Sequence, residues 1–265
     1  MKQYRLKVKN DILYLFLLLL VTEIFYFSVL KTAPNILLTI GSLGVLLLET
    51  WFVRVFSMYS GKKISQYSEV IARISLKERF FAYFVLPAIF YVSLLVFLFF
   101  TRNEILGQTV LGVCMVLFLV LFLNVKSSLN KYYSLEVATK AIFDFICITI
   151  YYLLLNSFLR FGFSIWEYSI LSVISSLILF VFVLKIHDRI GLLEFFVSFL
   201  SSISITVLMY IFWNTNVFVI PAIGALLFYL VISVWNIRFS GSTKFTDYIV
   251  PFLYVLISVI LIFTL

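Results

Sequence analysis

The sequence predicts an all-α fold: a polytopic transmembrane helix bundle of about nine spans, with the N-terminus inside and the C-terminus outside. Three observations predict it. Of the 265 residues, 64% are hydrophobic and 12% charged, against about 45–50% and about 25% in an ordinary soluble domain. The mean hydropathy of +1.16 leaves too few water-compatible side chains to cover a folded surface. The apolar runs are also long and unbroken. A helix rising about 1.5 Å per residue needs about 20 apolar residues to cross a core of about 30 Å. Barrel strands would instead alternate polar and apolar over about ten residues.

The first span, 12–30, follows the basic segment Met1–Lys9. Its apolar core exceeds the roughly 7–15 residues of a signal peptide and no small-x-small cleavage site follows, so it reads as an uncleaved anchor. The second span is 36–56. Behind it, Ser57–Arg79 places Ile64, Tyr67, Ile71 and Ile74 at spacings of three and four, with Lys63, Ser65, Glu69 and Arg73 elsewhere on the wheel. That pattern predicts a cytoplasmic amphipathic helix lying in the membrane interface. Spans 80–101 and 105–125 carry no charge, 137–158 carries Lys140 and Asp144, and 168–184 is again uncharged. The uncharged run Phe195–Ile237 is too long for one crossing, and Trp213-Asn214-Thr215-Asn216 supplies the polar turn that divides it. Spans 190–212 and 217–237 result, and 248–265 is the last. No loop is long enough for a soluble core and no internal repeat is visible, so 1–265 reads as a single integral membrane domain.

Basic residues test this count, because cytoplasmic loops carry the excess of Lys and Arg. With the N-terminus inside, only Lys31, Arg102 and Arg160 fall outside, and the other seventeen of the 20 basic residues fall inside. A missed or invented span would scramble that alternation. The net charge of +8 then belongs to short loops at one face of a cytoplasmic membrane, where anionic headgroups neutralise it. The expected partner is the lipid bilayer and not nucleic acid, and no protein partner is specified.

Several chemistries are excluded. One histidine, His187, cannot build a multi-His metal site. The four aspartates (Asp11, Asp144, Asp188, Asp247) form no aspartate-rich diphosphate motif, and the nine glycines form neither phosphate-binding loop. No cofactor and no metal is expected. Cys114 and Cys147 sit inside apolar runs, where a thiol behaves as a small hydrophobe. His187-Asp188-Arg189 reads as a solvated cytoplasmic turn, because neighbours on a helix point apart. Gly41 and Gly44, Ser169, Ser172 and Ser176, and Ser198, Ser201 and Ser202 form small-residue faces that let membrane helices approach closely.

Charges at bilayer depth mark the candidate site. Glu49 and Asp144 each lie about 10 Å into the core, counting rise per residue from the inner helix ends. Glu194 and Lys140 sit nearer the inner edge, Arg54 nearer still, and Glu23 alone falls in the outer half. Lys140 and Asp144 are one turn apart on one helix face. Glu49, Arg54, Lys140, Asp144 and Glu194 are therefore the candidate intramembrane polar site, with its three acids expected to converge on a cytoplasm-facing cavity that carries protons or cations. Interhelical salt bridges that fix packing are the competing use of the same charges.

Glu49-Thr50-Trp51-Phe52-Val53-Arg54 resembles the EExxxR motif of the intramembrane CAAX-type proteases. Thr50 stands where that motif has its second Glu, however, and the family's two further His-bearing motifs have no counterpart here. The stretch from Ile220 to Phe239 resembles the penultimate helix of the lysoplasmalogenases. There GAxLFxxSD ends in an aspartate, whereas the corresponding positions here are Val231 and Ile232. A retinal-binding reading fails because 248–265 has no lysine. No catalytic residue is identified. The sequence favours a small-solute or ion carrier using the cytoplasm-side carboxylates. An inner-leaflet lipid-modifying enzyme and a non-catalytic membrane subunit or scaffold are the alternatives.

Overall fold

The computed structural model describes residues 2–30, 34–59, 80–130, 136–213, 215–241 and 244–264. Its helices are α1 (Lys2–Leu30), α2 (Pro34–Tyr59), α3 (Leu86–Phe100), α4 (Glu104–Asn130), α5 (Glu136–Arg160), α6 (Ile165–Ile186), α7 (Leu192–Ile211), α8 (Val219–Phe239) and α9 (Phe245–Thr264). A π-helical turn, Phe81–Val85, leads directly into α3. Among the described residues there is no strand, and nine stretches are long and apolar enough to cross a membrane. Each of the nine expected spans overlaps one of them. This is a multi-pass membrane protein. Residues 60–79 of the amphipathic stretch lie outside the described residues.

Local sequence explains how the helices begin. Asn103 caps α4 by accepting from the Leu106 N–H at 3.1 Å. Ser164 and Glu167 form a reciprocal capping box at the start of α6. The π turn ends where the Leu86 N–H reaches back to the Phe81 carbonyl. Pro87 follows at once and has no N–H to contribute, so the ladder slips by one residue at the point where it is already interrupted.

Two compact units divide the chain, Met1–Phe143 and Asp144–Leu265, and the division falls within α5. In the first unit, α1 packs against α2, α3 and α4. Glycine permits the closest approaches there: a Cβ on Gly44 would overlap the Tyr91 hydroxyl, and one on Gly107 would overlap that of Tyr26. Tyr91 hydrogen-bonds Thr22 at 3.0 Å, and Thr22 donates onward to the Leu18 carbonyl at 2.7 Å. In the second unit α6, α7, α8 and α9 are successive neighbours. Its interior is aromatic, with Phe228 stacked on Phe180 at 4.3 Å and tilted against Tyr151 at 5.0 Å. Along α9, Val250, Leu253, Ile257 and Leu261 stay exposed while only Pro251 and Val255 are buried. A helix that is apolar on its exposed faces is solvated by lipid.

Candidate functional site

Asp144 is the centre of the polar cluster in the second unit. It sits on α5 at 4% exposure. Its carboxylate faces His187 Nε2, at 3.2 Å from Oδ1 and 3.1 Å from Oδ2. Asn236 Nδ2 on α8 donates to Oδ2 at 2.8 Å. The other amide atom, Asn236 Oδ1, is buried with no hydrogen-bond partner among the described residues. The His–Asp contact serves either protonation arrangement. Nε2–H donates to a carboxylate, or a carboxyl O–H donates to a bare Nε2. A proton can therefore cross this hydrogen bond without either side chain leaving its place.

The end of α6 explains why His187 is there. Asp188 has φ 53°, the Arg189 N–H returns to the Leu184 carbonyl at 2.9 Å and the Asp188 N–H to Lys185 at 3.2 Å. These bonds make a Schellman motif with Asp188 in the left-handed position that glycine usually fills. Aspartate is one of the few other residues that tolerate it. The chain reverses immediately after His187, which stays against the bundle while Asp188 and Arg189 are exposed. The His187 ring also meets Phe239 at 5.7 Å, with the Arg189 guanidinium 5.9 Å from the same ring. The expectation of a solvated turn at His187-Asp188-Arg189 is thus corrected for His187. Its ring turns inward to the aspartate, because the left-handed residue separates the directions of the two neighbours.

A second polar group lies further along α5. Tyr151 Oη is 2.9 Å from Ser172 Oγ, which is 3.0 Å from Thr206 Oγ1. Thr206 spends its one proton on the Ser202 carbonyl at 3.0 Å. Ser172 must then donate to Thr206, and Tyr151 to Ser172. The row ends on a carbonyl, which accepts a hydrogen bond but passes no proton on, so it clamps α5, α6 and α7 together instead of conducting. This bears on the small-residue faces expected for α6 and α7: Ser172, Ser176, Ser198 and Ser202 are all buried. Between Asp144's cluster and this clamp runs a column of rings. It passes from His187 through Phe239, Trp235, Phe180 and Phe228 to Tyr151, with successive centroids 4.3–6.2 Å apart.

The remaining predicted residues are placed as follows. Glu194 is in the first turn of α7, and its carboxylate folds back over the Gly191 Cα. There it meets the positive end of the helix dipole. Lys140 lies one turn before Asp144 on α5 and is half-buried. Glu49 and Arg54 belong to α2 in the first unit, Glu49 half-buried and Arg54 exposed. Arg54 donates to the Tyr14 hydroxyl at 3.5 Å and lies 5.8 Å from the centre of its ring. Glu23 accepts from Gln108 at 2.9 Å.

The first unit holds a buried acid that sequence reasoning did not select. Asp11, at the start of the first crossing, pairs with Lys126 of α4 and accepts from Trp51 Nε1 at 3.2 Å. Trp51 is stacked on Phe122 at 3.8 Å.

No protein-family model matches the chain, and neither a curated protein nor a solved structure matches it.

Proposed function

We propose that this multi-pass protein is a carrier for a small solute or ion in the cytoplasmic membrane, with Asp144 as its proton- or cation-binding carboxylate. One observation carries the reading. A buried carboxylate on a membrane-crossing helix receives its hydrogen bonds from an imidazole and an amide. Both partners let it gain or lose a positive charge where it stands. An intramembrane acid of this kind is costly to keep and marks an ion or proton pathway by default. The ring column favours a carrier over an open channel, because rings fill the interior beyond the acid and a through-path needs them to move. Glu194 remains a further candidate charge within the second unit, and Glu49, Arg54 and Lys140 remain candidates within the first. Asp144 leads them because of its partners.

The test is ion flux. Purified protein in phosphatidylcholine–phosphatidylglycerol liposomes, loaded with a pH-sensitive dye, is given an inward-directed potassium diffusion potential. Lumenal pH should change at a protein-dependent rate that Asp144→Asn abolishes without lowering reconstitution. Equal rates in both proteins, or no proton, sodium or potassium flux in either, would overturn the proposal. The proposed orientation, N-terminus inside and C-terminus outside, is tested by single cysteines. Ser60→Cys and Ser128→Cys should label from the cytoplasm, and Asn103→Cys and Thr215→Cys from outside.

A further inference from the structure

His187 stands between solvent and Asp144. It closes α6, its side chain is 12% exposed against 6% for Asp144, and Asp188 and Arg189 beyond it are exposed. Nε2 faces the carboxylate, so Nδ1 points away from it. An imidazole can take up a proton at one ring nitrogen and release another from the second. The carboxylate itself is met by nitrogen. Among the described residues its hydrogen bonds come from His187 Nε2 and Asn236 Nδ2. The amide turns its oxygen away, and that oxygen is buried. The ionisable groups that flank the pair along α5 and α6 are Cys147, fully buried, and Lys140 and Lys185, half-buried, while Arg238 of α8 is exposed. A metal cation stripped of water needs a shell of oxygens in place of its hydration. Two N–H groups repel a cation and leave it the carboxylate alone. Among the described residues no three His, Cys, Asp or Glu side chains gather to hold a metal ion. A proton needs neither a shell nor a cavity, only a hydrogen bond to move along.

We propose that the ion Asp144 binds is a proton and that His187 delivers it. The inference rests on the carrier reading and specifies its ion. With Nε2–H donating to the ionised carboxylate, Nδ1 takes a proton from water. Nε2 then releases its own to Asp144, which becomes a neutral carboxylic acid, and the imidazole is left neutral with its hydrogen on Nδ1. One proton has entered and none is lost. Asn236 serves both states, because its NH2 donates to the carboxylate and, after a half-turn, its oxygen accepts from the carboxyl O–H.

The full chain is reconstituted in phosphatidylcholine–phosphatidylglycerol liposomes. Lumenal pH under a potassium diffusion potential is compared with uptake of radiolabelled sodium and rubidium measured without ionophore. Proton flux is expected at the same rate when choline replaces sodium in the buffer, with sodium and rubidium uptake no higher than in empty liposomes. The deciding variant is His187→Gln, which keeps an N–H donor for the carboxylate but takes up no second proton. Its flux should fall about a hundredfold, the scale of a positioned proton-transfer group, at a thermal midpoint within a few degrees of the wild type. A second measurement covers a variant that fails to fold. His187 is the only histidine in the chain, so diethyl pyrocarbonate on the reconstituted wild type should stop the proton flux and hydroxylamine should restore it. Asp144-dependent uptake of sodium or rubidium overturns the inference, as does full proton flux in His187→Gln or, failing that variant, in the pyrocarbonate-treated protein. These outcomes leave Asp144 as the carrier's acid. Absence of any flux in the wild type removes that reading and this one together.

Discussion

Two aspartates on membrane-crossing helices are buried to a similar degree, Asp11 at 8% and Asp144 at 4% exposure, yet they are held in opposite ways. In the first unit Asp11 faces an ammonium, Lys126, and the indole N–H of Trp51. In the second unit Asp144 faces an imidazole and a primary amide. An ammonium opposite a carboxylate gives an ion pair whose charges cancel. An imidazole opposite a carboxylate holds one proton that either group can carry. Burial alone would have given the two acids the same role. The chemistry of the partner separates a packing element from a candidate site.

The sharpest way to break this comparison is to strand each acid in turn. Lys126→Met leaves Asp11 buried beside Trp51 without its counter-charge, and breaking a buried ion pair in this way costs about 3–5 kcal/mol. Thermal or denaturant unfolding in detergent should show that loss. The double variant Asp11→Leu with Lys126→Met should recover most of it, because an apolar pair of similar volume often replaces a buried ion pair at little cost. His187→Leu should cost less, about 1–3 kcal/mol, the penalty of leaving a buried acceptor short of one donor. Asp144 keeps the Asn236 donor. A larger loss from His187→Leu than from Lys126→Met would reverse the assignment of structural and functional acids.

How far these features are legible in the sequence follows from the range over which each is encoded. Crossing length and hydropathy are local, so all nine spans are readable from consecutive residues, as are the Gly44 approach and the buried serines of α6 and α7. Asp144 is equally legible from its depth. Its partners are not, because His187 is 43 residues away and Asn236 is 92 residues away in the chain. Against its neighbour Asp188 alone, His187 has no reason to leave solvent. One signal pointed the other way: antiparallel consecutive helices bring the start of one beside the end of the next, and the chain's single histidine ends the helix after Asp144. That reasoning does not reach Asp11 and Lys126, which sit on the non-consecutive helices α1 and α4 and look like ordinary flanking charges when each span is read alone.

A third prediction separates the clamp from the site. Tyr151→Phe removes the first donor of the hydroxyl row and leaves the Ser172 oxygen short of one hydrogen bond. The expected loss of stability is about 1 kcal/mol, read as a lowered denaturant midpoint with an unchanged slope. Ion flux in liposomes should match the wild type, since the row ends on the Ser202 carbonyl and passes no proton. A flux loss as large as that of Asp144→Asn would mean that the row conducts, and that the direction assigned to its donors is wrong.

The smallest effect concerns the turn that aims His187. Asp188 adopts φ 53°, a conformation that costs most L-residues about 1–2 kcal/mol and glycine nothing. Aspartate bears part of that cost, so Asp188→Gly should stabilise the protein slightly, by about 0.5 kcal/mol after the entropy that glycine adds to the unfolded chain. The Schellman bonds from Asp188 and Arg189 persist, His187 stays against Asp144, and flux is unchanged. Asp188→Val asks the opposite question. A β-branched residue is poorly tolerated at positive φ, so the turn must unwind and carry His187 away from the carboxylate. Flux should then fall towards the Asp144→Asn level, while unfolding shifts less than in Lys126→Met. If Asp188→Val instead lowers the unfolding midpoint as far as Lys126→Met and keeps its flux, the turn holds the second unit together as Lys126 holds the first, and the contrast between the two aspartates disappears.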